Sequence, residues 1–177
     1  ALRIGDRIAI MEGGRVVQVG TPEDILQNPA DDYVRAFFRG VDPTNVISAG
    51  DIVRDTYPTL IKTKVGSLRA THELLSGSEH DHCYVLDADR HFLGIVSADS
   101  LREAMESRAP DSPIDQAFLN GVSPANMNDS MQNILPAVAS SSWPVPVVDD
   151  QNVYKGVVSK NRFLRTLHRT DENMENT

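Results

Sequence analysis

A mixed α/β (α+β) fold built on a duplicated unit is what the sequence predicts, on three observations. The first is a self-match. Residues 83–105, CYVLDADRHFLGIVSADSLREAM, align without a gap on residues 145–167, VPVVDDQNVYKGVVSKNRFLRTL, at an offset of 62. Val85 falls on Val147, Asp87 on Asp149, Gly94 on Gly156, Val96 on Val158 and Ser97 on Ser159, and apolar positions coincide from Leu86/Val148 to Met105/Leu167. A repeat at fixed spacing sets the architecture before any single propensity does. The second observation is the patterning inside each copy. A β-branched strand, a polar turn (Asp87–Arg90 or Asp149–Asn152) and a second strand closed by Gly-h-h-Ser (h, apolar) lead into an amphipathic helix. The third is that residues 1–40 stand outside the repeat and read as a β-hairpin with helices.

Taken in order, Arg7–Met11 alternates as a strand, Glu12-Gly13-Gly14 supplies a hairpin turn and Arg15–Val19 returns. Thr21-Pro22-Glu23-Asp24 opens a helix, with Thr as N-cap, Pro at the first helical position and acids in the first turn. Asn28-Pro29 stops it, and Asp32–Phe38 restarts a short helix with Tyr33, Phe37 and Phe38 on an apolar side. Gly40, Pro43 and Gly50 mark a hinge, and Asp51–Tyr57 reads as a short helix before Pro58. Leu60–Thr63 is the first strand of repeat one and Ser67–Leu75 its first helix, capped by Ser67 or Thr63. Ala109-Pro110-Asp111-Ser112-Pro113 links the repeats, and repeat two begins near Ile114 with a first helix around Asp129–Ala139. There Leu68, Leu74 and Leu75 match Met131, Ala137 and Val138 at an offset of 63, one more than in the hairpins. The resulting division is 1–40, 41–109, 110–170 and a disordered acidic tail at 171–177.

The paired hairpins with their Gly-h-h-Ser turns resemble the CBS motif, a βαββα unit of roughly sixty residues that works in pairs as the Bateman module. One copy cannot bury its sheet face alone, which is why the units pair. The resemblance covers about residues 45–170 and implies tandem CBS domains. Residues 1–39, with the run IAIMEGGRVVQVGTPEDIL inside them, resemble the end of an ABC-transporter ATPase domain. Joined to a CBS pair, that stretch is similar to the ATP-binding subunit of a bacterial glycine betaine/proline uptake system. The sequence has no Gly-x-x-x-x-Gly-Lys-Ser/Thr phosphate loop, signature motif, Walker B acid or switch histidine. The resemblance therefore implies a parent ATPase using ATP and Mg, and a fragment without catalysis. It also implies a homodimer through the CBS pairs, a membrane permease partner, and a place on the cytoplasmic side of the bacterial inner membrane. The lack of an initiator Met fits a piece of a longer chain.

Composition narrows the partners. A net charge of −8 argues against nucleic-acid binding, which needs clustered cations. No apolar run approaches the ~20 residues of a membrane span, and the lone Cys83 excludes an internal disulfide. Residues 109–154 contain no Lys or Arg, after which Lys155, Lys160, Arg162, Arg165 and Arg169 follow in one acid-free run. Arg162, Arg165 and Arg169 share a helix face by spacing. They read either as cations complementing a helix C-terminus or as an anion-contacting patch for a phosphate, a lipid headgroup or the acidic tail.

By resemblance, the hydroxyl after Gly-h-h and an Asp three residues later hold the phosphate and ribose of an adenosine ligand in the cleft between the sheets. The hydroxyls are Ser97 and Ser159, but the Asp positions hold Ser100 and Arg162. Asp99 lies one residue early, about 100° around a helix. Arg162 suits an oxyanion instead. An adenine nucleotide in the cleft, a different anion against Arg162, and an empty structural cleft all stay open. His80-Asp81-His82-Cys83 does not make a metal site, since His82 and Cys83 point to opposite strand faces; it reads as solvated histidines before a buried thiol. Trp143-Pro144 reads as a core plug at a strand start. The function expected is a regulatory CBS pair of an osmoprotectant importer responding to ionic strength or a ligand. Its alternatives are an adenine-nucleotide or cyclic-dinucleotide sensor and a passive dimerisation domain.

Overall fold

The computed structural model describes the backbone of residues 7–62 and 66–175, and side chains through residue 168. It forms two compact units that do not follow the repeat boundaries. One comprises residues 1–52, 128–144 and 158–177, the other 53–127 and 145–157.

In the first unit, β1 (Ile8–Glu12) and β2 (Arg15–Gly20) pair antiparallel, and Gly13 and Gly14 turn between them with φ of 55° and 81°. Two positive φ values in a row are what a two-residue type I′ turn demands. α1 (Pro22–Gln27) starts with a capping box: Thr21 Oγ1 accepts from the Asp24 amide while the Asp24 carboxylate accepts from the Thr21 amide. α2 (Asp32–Phe37) is capped by Asp31 and buries Val34, with Phe38 buried just beyond its end. Tyr33 and Phe37 remain 38% and 57% exposed, so its buried side is rotated from the one predicted.

Residues 40–50 are packed where the sequence suggests a hinge. They form α3 (Pro43–Val46) and the start of α4 (Ala49–Ile52), burying Val46, Ile47 and Ala49, and Ile52 is buried at the end of α4. Asp42 caps the Thr44 amide, and the Asp51 carboxylate accepts from the Ser48 amide and hydroxyl. Short polar side chains thus close turns that Gly and Pro alone would leave open. The predicted helix through Tyr57 does not form. Arg54 instead exchanges backbone hydrogen bonds with Val157.

In the second unit, β3 (Thr59–Ile61) runs parallel to β4 (His82–Leu86), which pairs antiparallel with β5 (Phe92–Ser97). α5 (Leu68–Ser76) and α6 (Ala98–Ser107) complete the first repeat, and Ser67 caps α5 through the Ala70 amide. Thr63 lies outside the described residues. The core holds Leu68, Leu75, Cys83, Val85, Val96, Leu101 and Ala104, closed by Ile114 and Ala117 of a 3-10 turn. β6 (Ala125–Asn126) runs parallel to β7 (Val145–Val148), with β8 (Tyr154–Val158) beside it. The two hairpins join by backbone, the Phe92 amide donating to Asn152 O and the Tyr154 amide to Arg90 O.

Two helices return to the first unit. α7 (Met131–Ser140), capped by Ser130, packs with α3 and with α8 (Lys160–Glu175). α8 also meets α1 and α4, and buries Phe163 and Thr166. It runs to Glu175, through residues the sequence reading assigns to a disordered tail. No Gly or Pro interrupts 160–175, so nothing local stops the helix.

The leading stretch of each repeat closes the other copy. The Ala49 amide donates to Asp129 O and the Met131 amide to Ile47 O, and Ser48 bridges Ser130. Likewise the Leu68 amide donates to Ser112 O, the Arg69 amide to Pro110 O and the Leu119 amide to Ile95 O. The "linker" 109–113 is therefore part of the first repeat's packing.

Candidate ligand pocket

The two Gly-h-h-Ser turns deliver their hydroxyls differently. Ser97 is buried and fully engaged: its Oγ accepts from the Ser100 amide at 3.0 Å, and the Ser97 amide donates to Ser100 Oγ at 2.9 Å. Asp99 points into solvent and pairs with Arg102 along the outside of α6. The first repeat thus does not bring its two candidate residues together.

In the second repeat Ser159 Oγ accepts from the Arg162 amide at 3.2 Å and leads into α8. It lines a pocket of about 230 Å³ with an apolar wall of Val138, Trp143, Pro144 and Val158 and a polar rim that includes Ser141 and Lys160. Trp143 does not plug the core; it is half-buried at this pocket, and Val145 takes the buried place. The reason is a local turn: Ser141 Oγ donates to Trp143 O at 2.6 Å and accepts from the Trp143 amide at 3.1 Å. Lys160 is exposed at the first residue of α8, where helix amides already favour negative charge. The pocket can therefore take a flat apolar group against Trp143 and an anionic group beside Lys160 and Ser159. Trp143 and Val138 carried no site signal in the sequence, since one preceded a strand and the other sat on a helix face.

The five-cation patch does not present as one surface. Lys155 Nζ lies 2.8 Å from Asp149, and Arg162 Nη2 lies 3.2 Å from Glu23 Oε1 while its Nε donates to Ile52 O at 3.4 Å. Lys160 and Arg165 remain exposed, and the Arg169 side chain lies outside the described residues. The oxyanion expected against Arg162 thus meets a guanidinium already bonded to a carboxylate.

Other candidate chemistry is accounted for by the fold. His82 is buried, not solvated: its Nδ1 lies 2.8 Å from Asp81, and its ring packs against Tyr57 and Tyr84. Cys83 lies in the core, where burial pushes its thiol up to about 11. Asp87, Asp89 and His91 bring one potential ligand atom each within 4.8 Å. There Asp87 accepts from the amides of Asp89 and His91 and sits 2.9 Å from His91 Nδ1, which holds His91 above its ordinary value and Asp87 below. No helix among the described residues is long and apolar enough to cross a membrane.

No family model matches the chain. Over 98% of its length it is 42% identical to the glycine betaine/proline betaine transport system ATP-binding protein ProV of Escherichia coli (strain K12), covering 43% of that protein. It is 31% identical over 97% of its length to the glycine betaine transport ATP-binding protein OpuAA of Bacillus subtilis (strain 168), covering 40% of it. Among solved structures, a cystathionine beta-synthase pair domain from Shewanella oneidensis MR-1 matches 83% of the chain and 93% of its own at a TM-score of 0.60 and 16% identity. Staphylococcus aureus OpuCA matches 66% and 96% at 0.54 and 16%. CbpB in complex with c-di-AMP matches 72% and 83% at 0.55 and 16%. The duplicated βαββα architecture is that of tandem CBS domains. Within that class the chain is similar, over nearly its whole length, to the C-terminal CBS region of ATP-binding subunits of glycine betaine transport systems. It spans less than half the length of these curated relatives.

Proposed function

We propose that this chain is the regulatory CBS-pair region of the ATP-binding subunit of an osmoprotectant importer, and that an anionic adenine nucleotide in the Ser159 pocket is one of its inputs. The observation that carries the reading is the convergence of Ser159, Lys160 and the Trp143 wall on one pocket of about 230 Å³ at the start of α8. The c-di-AMP named with CbpB supports the ligand class, and the relatives' names support the importer. On this reading the missing ribose carboxylate is made up by Lys160 and the α8 amides on the phosphate side. The parent protein hydrolyses ATP with Mg, works beside a membrane permease on the cytoplasmic side, and dimerises through its CBS pairs. Ionic strength acts as a second input through the exposed Lys160 and Arg165, since contacts made by exposed charges weaken as the Debye length falls from ~10 Å at 0.1 M to ~3 Å at 1 M. An anionic lipid surface is the partner those two cations fit.

The test is the melting temperature of the chain with AMP, ATP and c-di-AMP at fixed salt. A ligand at a hundred times its Kd adds about 2.7 kcal/mol, or about 5–10 °C for a chain of this size. The expected result is a shift with one of the three that Lys160→Glu abolishes. A chain that melts alike with all three, and in the variant, overturns the nucleotide input.

A further inference from the structure

Arg162 stands three residues after the Gly-h-h hydroxyl, yet its side chain is held by elements from the other end of the chain. Nη2 lies 3.2 Å from Glu23 Oε1 on α1, and Nε donates to Ile52 O at the end of α4 at 3.4 Å. Neither charged group is a surface ornament: the two side chains are 22% and 14% exposed. Glu23 is oriented from its own helix by Gln27 Nε2 at 2.8 Å. Beneath the pair, α1 buries Pro22, Ile25 and Leu26, and it packs on α8. The Arg162 amide, meanwhile, donates to the Ser159 hydroxyl that lines the pocket. One residue therefore joins the first turn of α8 to α4 and α1.

We propose that the Glu23–Arg162 pair is a latch that holds the N-terminal module on α8 and couples its docking to the pocket at the start of that helix. Exposed ion pairs contribute little, but removing one partner of a mostly buried pair takes a charge-assisted hydrogen bond from the other where solvent replaces it poorly. The fork geometry matters as well as the charge, because the guanidinium reaches the carboxylate through Nη2 and the carbonyl through Nε, two separate nitrogens that an ammonium does not have. A ligand that shifts Ser159 moves the residue bearing the latch, and by reciprocity a released latch changes ligand affinity. The ligand-driven half of this inference rests on the nucleotide reading above; the latch itself rests on the ion pair alone.

Amide hydrogen exchange on the whole chain tests it. The reporters are the amides of Ile25 and Asn28, which donate to Thr21 O and Asp24 O within α1, with α6 as internal reference. Glu23→Gln and Arg162→Gln should speed α1 exchange by at least tenfold with α6 unchanged, Arg162→Lys should do so less, and the swap Glu23→Arg/Arg162→Glu should recover at least half of the change. Unaltered α1 exchange in Glu23→Gln, or a swap no better than the worse single variant, overturns the latch. If a single variant loosens α6 as well, the swapped chain decides, since only a latch predicts recovery of both. For the coupling, c-di-AMP added to the unsubstituted chain should change α1 exchange at least threefold. A melting shift without that change overturns the coupling while leaving the nucleotide reading intact. No melting shift at all removes the nucleotide reading and the coupling with it, and the variants alone then judge the latch.

Discussion

In the first hairpin the conserved-register glycine, Gly94, faces an aromatic ring: a Cβ there would lie 2.9 to 3.1 Å from the Phe118 ring atoms. In the second, Gly156 faces backbone, and a Cβ would lie 2.5 Å from Arg54 O with φ already at +133°. The two positions align in the sequence, and both are glycine because another segment crosses the strand. What differs is whether the crossing is made by a side chain that can move or by a peptide that cannot. The same contrast runs through the repeats. The turn carboxylates Asp87 and Asp149 each accept two amides, but one faces His91 and the other Lys155. The serine caps also diverge, Ser97 being closed by Ser100 while Ser159 opens onto a pocket. Repetition copied the backbone and left the surroundings of each copy to diverge.

Substitutions in the two hairpins break or sharpen this comparison. The largest effect belongs to Gly156→Ala, which meets both a backbone clash and a left-handed φ. It should cost at least ~3 kcal/mol, against about 1–2 kcal/mol for Gly94→Ala, where Phe118 can yield. Chemical denaturation of both variants measures it, and equal costs would mean that the Arg54 segment moves as freely as a ring. Next, Asp149→Ala and Asp87→Ala should each lower the melting temperature, with loss of order confined to the turn that was changed. Amide exchange at Val153 and His91 reads the two turns separately.

The smallest effect is one of pH. Because Asp87 holds His91 above its ordinary value of 6.5, the stability from this pair is fully present below 6.5 and is lost as pH rises through the raised value. On the acid side Asp87 is held below 3.8, so its share persists above 3.8 and fades as pH falls through the lowered value. The melting difference between the unsubstituted chain and His91→Gln should therefore shrink between pH 5.5 and 8.5.

How far the sequence could be read follows from where its signals come from. The hairpins, their Asp turns, the Gly13-Gly14 reversal and the serine caps are local. The turns and caps depend on residues within four positions of one another and the hairpin strands on residues within fifteen, and each forms where predicted. The pairing of the repeats was legible because identical spacing is itself a long-range signal. The exchange of leading stretches was not, since nothing near Arg54 announces Val157. The same holds for Arg162 and Glu23, 139 residues apart. In the sequence Glu23 reads as a first-turn acid and Arg162 as an anion-contacting cation, and only the folded chain shows one to be the other's counter-ion. Of the candidate site residues, Ser159 lines the pocket, Ser97 and Asp99 do not come together, and Lys155 and Arg162 are bonded to Asp149 and Glu23.

The crossed leading stretches also put a clock on assembly. Val46, Ile47 and Ile52 leave the ribosome early, but the Met131 amide and the Val157 strand that receive their segment follow much later. At about 5–20 residues per second, the roughly one hundred residues separating Arg54 from Val157 amount to about 5–20 s. Through that interval an apolar segment has no final partner, while the first repeat can already close once Leu119 is made. Nascent chains should therefore become protease-resistant in two steps, the first near residue 120 and the second only when the last strand and α8 have emerged.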